Sequence, residues 1–224
     1  VTARTAAAEG MVLLRNQNAT LPLSPKLKVA LFGNSAYETI TGGSGSGDVN
    51  SAYSLSLQQG LDTAGYSSDS ALGRDYEANI AEQTAGLPPQ SLFMPPPTIV
   101  EQLLPSTQTI GRLSEEVDVA IVSLGRYSGE FVDRNAEDDF YLSDTEITLL
   151  TKVSNAFHQQ QKKVVVVLNV GGVVETASWR DQVDAVLLAW LPGQEAGHAI
   201  ADILSGQVNP SGKLPTTFAV SLDD

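Results

Sequence analysis

The chain contains no cysteine among its 224 residues, which excludes disulfide bonds and metal sites built on thiolate ligands. This absence leaves the cellular compartment open, because secreted proteins can also lack cysteine. Basic residues are scarce, since 13 Lys and Arg stand against 26 Asp and Glu and give a net charge of −13. Such a surface repels phosphate backbones and anionic lipid headgroups, so we expect no nucleic acid and no membrane among the partners.

Long apolar runs are also missing. No segment approaches the roughly 18 apolar residues of a membrane span, and no charged-then-apolar leader opens the chain. The sequence starts at Val1, without Met, in an Ala-rich segment of residues 1–15 whose apolar side chains predict a helix. We therefore expect it to be a piece of a longer protein. Its length and its 42% hydrophobic content are typical of one folded domain with a sizeable core.

Apolar runs alternate along the chain with amphipathic segments. The runs predict six strands, at residues 28–33, 67–71, 118–123, 163–169, 185–190 and 214–218, and the amphipathic segments predict helices at residues 53–64, 75–83, 144–160 and 194–204. Ser143 and Glu146 form a capping-box pattern that fixes one helix start. Continuous runs such as VVVVLN are typical of strands covered on both faces. The predicted fold class is therefore α/β, a mostly parallel, doubly wound sheet of about six strands.

Residues 87–105 interrupt this alternation. The segment contains six prolines, so it cannot form a regular core element. We interpret it as a long excursion of the chain. Two roles stay open for it, a connector or, through Phe93 and Met94, an interface or the rim of a cleft.

Glu130 is the most conspicuous candidate for chemistry. It follows the predicted strand of residues 118–123, and ligands of open α/β sheets collect just past the carboxyl ends of the strands. The alternative interpretation is a solvated surface charge, with Asp133 and Arg134 forming a local ion pair.

A glycine-rich loop, residues 42–47 with the sequence GGSGSG, follows the first predicted strand and precedes a helix. No lysine follows it and its spacing differs from G-x-G-x-x-G, so nucleotide binding is disfavoured. The loop instead allows a neutral polyol to approach its backbone amides and the hydroxyls of Ser44 and Ser46.

The other polar and aromatic candidates have simpler explanations. Glu195 follows a strand and opens a helix, where the helix dipole stabilises an acid and a buried pairing would keep it ionised. His158 and His198 lack metal-ligand spacing, so we predict no metal site. A G-x-S-x-G elbow is absent, which removes the usual α/β-hydrolase nucleophile. Trp179 and Trp190 could stack on sugars, but we expect both to pack in the core.

Several segments taken together resemble the C-terminal α/β sandwich domain of glycoside hydrolase family 3, the family of many β-glucosidases and β-xylosidases. They are AAAEGMVLLRNQNATLPLS, KVALFG, GGSGSGDVN, the SGEFVDR loop, KKVVVVLNVGG and PGQEAGHAIADILSGQVNPSGKLPTTF. The resemblance covers essentially all of residues 1–224, and the NPSGKLP turn is its most specific part. It implies a two-domain enzyme whose first half, a (β/α)8-type barrel with an Asp nucleophile, is absent from this sequence.

The resemblance also implies a role for Glu130. In relatives, a loop reading roughly Ser/Gly-Glu-Gly-x-Asp-Arg carries the general acid/base, and here residues 129–134 correspond to it, with Phe131 where glycine is common. The implied function is the acid/base-bearing domain of a retaining exo-β-glycosidase. We expect a β-glucosidase that hydrolyses terminal non-reducing β-D-glucosyl residues.

The substrate contacts that the resemblance implies lie on the glycine-rich loop. In relatives this loop borders the leaving-group subsite, which transfers to Ser44, Gly45 and Ser46 here. The implied partners are a β-glucoside or short β-linked oligosaccharide and the barrel domain of the same protein, with no cofactor. A non-catalytic sugar-binding or interaction domain is the alternative from another functional class.

Overall fold

Six strands form one sheet in the computed structural model, which describes residues 1–87, 100–130 and 133–223. The strands are β1 (Val12–Asn16), β2 (Lys28–Phe32), β3 (Ser67–Ser68), β4 (Val119–Arg126), β5 (Lys163–Val170) and β6 (Ala185–Leu188). They lie in the order β1-β6-β5-β4-β2-β3, and every neighbouring pair except β1 with β6 is parallel. The prediction of a mostly parallel, six-stranded α/β sheet is confirmed.

Helices cover both faces of this sheet. They are α1 (Thr2–Gly10), α2 (Leu57–Thr63), α3 (Ser70–Thr84), α4 (Thr107–Glu116), α5 (Asp144–Gln159) and α6 (Ala196–Ser205). Side chains of a strand alternate between its faces. Accordingly, Val165 and Val167 of β5 pack with α1, α2 and α6, whereas Val164 and Val166 pack with α3, α4 and α5. No helix in the described ranges is both long and apolar enough to cross a membrane.

The first helix is shorter than residues 1–15, so that prediction is wrong beyond Gly10. The chain turns there into β1, which pairs antiparallel with β6 at the edge of the sheet. Val12 and Leu14 pack on one face and Leu13 on the other, which is the alternation of a strand.

Two further elements differ from the prediction, one helix that the sequence patterns did not indicate and one predicted strand that does not form. Helix α4 was not predicted, although Ser106 caps it by accepting a 3.0 Å hydrogen bond from the Thr109 amide, and Ile110 and Leu113 pack into the core. The strand expected at residues 214–218 is not a strand, since this segment has no ladder partner and Phe218 packs edge-on against Trp190.

Capping side chains set the N-terminal ends of α2, α3 and α5. The capping box is confirmed, because the Ser143 hydroxyl accepts from the Glu146 amide at 3.3 Å and Glu146 Oε2 accepts from the Ser143 amide at 2.9 Å. Helix α3 begins at Ser70, ahead of the predicted start at residue 75, because Asp69 caps it. Of the proline-rich excursion, residues 88–99 lie outside the described part of the chain.

Candidate functional site

The parallel strands β2, β4, β5 and β6 end at the same edge of the sheet, which we call the carboxyl edge. The loops that follow these strands therefore meet there, as the loops of open α/β sheets do. The glycine-rich loop, residues 42–47, follows β2, and the segment 127–130 follows β4. The structure brings Glu130 and the serines of the glycine-rich loop together at this edge.

The carboxylate of Glu130 is held by one residue of the glycine-rich loop. The Ser46 amide donates to Glu130 Oε2 at 3.1 Å, and the Ser46 hydroxyl donates to Oε1. Both residues are exposed. These two hydrogen bonds, the hydroxyl first, hold the pKa of Glu130 below its usual value of 4.5. Glu130 of the chain as described is therefore an ionised carboxylate at neutral pH.

Ser44 joins the same two loops through its backbone. Its amide donates to the Ser128 carbonyl at 3.0 Å, and Ser44 and Gly129 form an isolated parallel β-bridge. The Ser44 hydroxyl is buried under Gly129 and has no hydrogen-bond partner among the described residues. A Cβ on Gly129 would overlap that hydroxyl, so the close approach requires glycine. Ser46, not Ser44, presents its hydroxyl on the exposed side of this junction.

Gly45 leaves the space that the Glu130 carboxylate occupies. Its φ of +69° lies in the left-handed region, which glycine adopts without strain. A Cβ at this position would lie 3.0 Å from Glu130 Cδ and would overlap Oε2. Both the backbone of the loop and the position of the carboxylate therefore depend on glycine here.

Arg134 fastens the far end of the segment that carries Glu130. Its Nη1 donates to the Tyr127 carbonyl at 3.3 Å and pairs with Asp139, whose carboxylate also accepts from the Asn135 amide at 3.0 Å. The ion pair expected between Asp133 and Arg134 is thus replaced by a pair between Arg134 and Asp139. The chain on both sides of the candidate acid is anchored to the end of β4.

Glu195 is another carboxylate at the carboxyl edge, and its partners differ from those of Glu130. It lies at the N-cap of α6, accepts from the Tyr53 hydroxyl and lies 2.8 Å from His198 Nδ1. The Tyr53 hydroxyl, followed by His198, lowers the pKa of Glu195. Glu195 thus lies at a helix start, as expected, and its hydrogen-bond partners hold it ionised, as Ser46 does Glu130.

The remaining candidates from the sequence have structural partners. Trp179 is buried, and its indole N–H donates to the Glu175 carbonyl at 2.8 Å, which confirms the core assignment. Trp190 is half-buried and packs against the same core. His158 lies 2.8 Å from Asp184, at the opposite edge of the sheet. In the part of the chain that the structure describes, no three His, Asp or Glu side chains are grouped to hold a metal.

A sequence profile identifies the domain directly. The profile of the glycosyl hydrolase family 3 C-terminal domain matches residues 11–224. The chain belongs to this family. The family 3 domain is 38% identical over 248 residues to "Beta-glucosidase A" of Butyrivibrio fibrisolvens, and this match covers 98% of the chain and 28% of that protein. It is 32% identical to "Beta-glucosidase" of Ruminococcus albus, covering 97% of the chain and 22% of that protein.

Solved structures give the same assignment. Beta-glucosidase 3B from Thermotoga neapolitana in complex with alpha-D-glucose is similar to the family 3 domain with a TM-score of 0.89 and 46% identity, over 97% of this chain and 30% of that one. A beta-glucosidase from Paenibacillus barengoltzii matches with a TM-score of 0.87 and 32% identity, over 99% of this chain and 24% of that one. The chain spans less than a third of each relative. The predicted family resemblance is confirmed.

The family 3 domain also has a cleft that the sequence analysis missed. It has a volume of about 470 Å³ and opens at the carboxyl edge between the ends of β2 and β4, lined among others by Asn34, Glu38, Gln102, Arg126 and Tyr127. Burial, with the nearby charge of Glu38, raises the pKa of Tyr127 to about 12, so its hydroxyl stays neutral. Tyr127 and Ser128 are also the carbonyl acceptors that hold the loops of the site. Their only sequence signal is their place between β4 and Glu130.

Proposed function

We propose that this domain supplies the general acid/base of a retaining exo-β-glycosidase, and that Glu130 is that residue. The observation that carries the proposal is the exposed Glu130 carboxylate at the carboxyl edge, held against the glycine-rich loop by Ser46. The relatives named above are β-glucosidases, which supports a terminal non-reducing β-D-glucosyl residue as the substrate group.

Retaining hydrolysis uses two carboxyl groups about 5–5.5 Å apart. In the proposed enzyme, a barrel domain of the same protein supplies an Asp nucleophile and this chain supplies Glu130. Glu130 first gives its proton to the glycosidic oxygen, while the nucleophile bonds to the anomeric carbon and the aglycone alcohol leaves. Glu130, now a carboxylate, then takes a proton from the water that attacks the glycosyl-enzyme. This second step releases glucose, frees the nucleophile and restores the acid.

The two steps place opposite demands on the pKa of Glu130. The Ser46 hydrogen bonds lower this pKa in the domain described here, which suits the base of the second step. The first step needs a protonated carboxyl group. A barrel domain that covers the carboxyl edge would exclude water and bring a second negative charge near Glu130, and both effects raise a carboxyl pKa.

Because the two carboxyl groups are proposed to lie on different domains, the chain without the barrel domain should have no hydrolytic activity. Expressed as residues 1–224, it should fold and yet fail to hydrolyse aryl β-glucosides, because it holds the proton donor without the nucleophile. Assay of the purified chain with an aryl β-glucoside tests this prediction. Turnover that follows the chain through purification would contradict the split-site proposal.

The glycine-rich loop is the proposed border of the leaving-group subsite. We assign the Ser46 hydroxyl to the side that faces substrate, because Ser46 is exposed beside the Glu130 carboxylate. Gly45 is buried next to that carboxylate, and we assign it to the border of the subsite through its backbone. Ser44 contributes through its backbone, since its hydroxyl is buried under Gly129. The loop contains no aromatic residue, so it offers no ring for a sugar to stack on.

A non-catalytic sugar-binding domain is the second candidate function. The lowered pKa of Glu130 favours it, because a carboxylate that stays ionised accepts hydrogen bonds from sugar hydroxyls and donates no proton. If Glu130 is the acid/base, its removal slows substrates with poor leaving groups more than substrates with good ones. If the domain only binds sugar, the loss does not depend on the leaving group, so this dependence is what the experiment measures.

The test is Glu130→Ala in the full-length protein. Hydrolysis of substrates with poor leaving groups should fall about 10²–10⁴-fold, the usual contribution of a positioned proton transfer. Aryl glycosides whose leaving groups need no protonation should keep a faster first step, and added azide should restore turnover by attacking the glycosyl-enzyme.

Glu195→Gln is the matched control, because Glu195 is also an ionised carboxylate at the carboxyl edge. It should lower stability and leave the dependence on leaving group unchanged. If Glu195→Gln is sensitive to the leaving group and Glu130→Ala is not, the acid is misassigned. If neither variant is sensitive, the non-catalytic candidate is favoured.

A further inference from the structure

Asn169 is a polar residue that follows five apolar residues, 164–168, in one strand. It lies near the end of β5 (Lys163–Val170), and its exposed fraction is 0%. A buried amide costs free energy unless its donors and acceptor are satisfied by hydrogen bonds. Asn169 therefore requires hydrogen-bond partners, and these partners show which part of the structure it stabilises.

The side chain of Asn169 holds two of the loops at the carboxyl edge. Its Oδ1 accepts from the Ile40 amide at 2.7 Å, and its Nδ2 donates to the Ile40 carbonyl and to the Trp190 carbonyl, each at 2.8 Å. An amide nitrogen has two hydrogens to donate, so its donor capacity is used in full. Ile40 follows β2 and Trp190 follows β6, so one side chain joins the loops on both sides of its own strand.

These bonds lie at the root of the glycine-rich loop. Ile40 precedes that loop by two residues, and the carbonyl of Thr41 accepts from the Gly193 amide at 2.8 Å. Trp190 has a φ of +58°, a conformation that residues other than glycine seldom adopt. The backbone at both ends of the Asn169 contacts is thus fixed, and the next anchor along the loop is the bond from the Ser44 amide to Ser128.

We propose that Asn169 is a positioning residue for the acid/base, which it serves by fixing the root of the loop that presents Ser46 to Glu130. This inference rests on the proposed function of Glu130. Asn169 does not contact Glu130 and acts through Ile40 and the residues that follow it. A change at Asn169 shifts the loop, and with it the two hydrogen-bond donors that orient the carboxylate.

The test is Asn169→Asp in the full-length protein, since Asp has the same shape and keeps the acceptor for the Ile40 amide. It loses the N–H donors and sets a carboxyl oxygen against the carbonyls of Ile40 and Trp190. We expect kcat/KM to fall about 10- to 100-fold for poor leaving groups, because a misplacement of about 1 Å costs up to about 10²-fold. The loss should be smaller for activated aryl glucosides, which need no proton from Glu130, and should fall on kcat more than on KM.

Asp184→Asn is the control for a purely structural effect. Asp184 is also buried, accepts from the Val164 amide at 2.9 Å and pairs with Lys163, but it lies at the opposite edge of the sheet. It should lower the melting temperature and change the rates for all leaving groups by the same factor. Asn169→Ser serves as a second variant, because its hydroxyl can donate to one carbonyl only.

The dependence of the rates on the leaving group decides the proposal. A steeper dependence on leaving group in a folded Asn169 variant supports it. Equal losses for all leaving groups, or no folded protein from either variant, would overturn it and leave Asn169 a residue of the fold alone. Glu130→Ala on the same substrates separates the two proposals. If Glu130→Ala is sensitive to the leaving group and the Asn169 variants are not, only the positioning role fails; if Glu130→Ala is insensitive, the proposed function fails and the positioning role fails with it.

Discussion

Replacement of Gly45 by Ala puts a methyl group where the Glu130 carboxylate lies. The new Cβ would be 3.0 Å from Glu130 Cδ and would overlap Oε2, whereas ordinary contacts start at 3.4 Å. The overlapped Oε2 is the end of a flexible, exposed side chain and moves aside, but the new Cβ also lies 3.1 Å from Glu130 Cβ, so the backbone of one of the two loops gives by a few tenths of an ångström as well. We expect Glu130 to retreat from Ser46 by about 1 Å, a displacement that costs up to about 10²-fold in a positioned reaction.

The cost in stability is modest and can be worked out separately. Gly45 has a φ of +69°, and an L-residue in the left-handed region costs about 1–2 kcal/mol. Ala also reduces the freedom of the unfolded chain, which returns about 0.4–1 kcal/mol. The net loss is about 1 kcal/mol, and for a domain of this size it lowers the melting temperature by about 2–4 °C.

Two measurements check this prediction. NMR titration of the Glu130 carboxyl group in residues 1–224 should show its pKa rising toward the usual 4.5, because the Ser46 hydrogen bonds are lost. In the full-length protein, hydrolysis of poor leaving groups should fall by about 10²-fold. Gly47→Ala is the matched control, since a Cβ at Gly47 meets no heavy atom within 4 Å.

A Gly45→Ala variant that keeps the low pKa of Glu130 and hydrolyses poor leaving groups as fast as Gly47→Ala does would contradict this prediction. That result would mean that the carboxylate does not occupy the space beside Gly45 in solution. A large loss of stability without a change in the pKa would point instead to the loop backbone as the cause.

Substitutions at Ser46, Gly197 and Gly111 give the remaining predictions. Ser46→Ala should raise the pKa of Glu130, because it removes the hydroxyl donor, whereas Ser46→Thr should keep the pKa low. Since the pKa of Glu130 is lower in the folded than in the unfolded state, the pair stabilises the fold above the unfolded-state pKa and loses this effect as the pH falls through the folded-state value. Urea unfolding of the wild-type and Ser46→Ala chains should therefore converge at acidic pH; a constant difference would show that the hydroxyl acts through something other than Glu130. Gly197→Ala should destabilise the chain by about 1–3 kcal/mol, because a Cβ there would overlap the Ser56 carbonyl and force α2 and α6 apart. Gly111→Ala in α4, where a Cβ meets nothing within 4 Å, should be neutral or stabilising in the same thermal-unfolding assay.

The core of the fold could be predicted from the sequence because its signals are local. The VVVVLN run predicts β5, and the pair Ser143 and Glu146 predicts the start of α5. The run Val12–Leu14 could not be assigned in this way, since a short apolar run fits a helix or a strand equally well. Its pairing with β6, about 170 residues further along the chain, decides for the strand.

The candidate site could be predicted only in part. The place of Glu130 beyond a strand was readable, and so was a loop able to accept a polyol. The contact between Ser46 and Glu130 joins residues that are 84 positions apart, and no spacing along the chain records it. The burial of the Ser44 hydroxyl depends on Gly129 in the same way. Asn169 carried a signal that was not used, a single amide at the end of an apolar run.

The isolated parallel bridge between Ser44 and Gly129 joins the loop that follows β2 to the loop that follows β4. The two loops at this junction consequently form one structural unit in any experiment that transfers the segment carrying Glu130 to another protein. If residues 127–134 were transferred alone, they would lie against a different glycine-rich-loop equivalent in the new protein. That loop would lack the backbone that pairs with Gly129 and the space that Gly45 leaves for the Glu130 carboxylate. The segment around Ser44 has to be transferred as well. The two loops together are the smallest unit that keeps the contacts between Ser44, Gly45, Gly129 and Glu130.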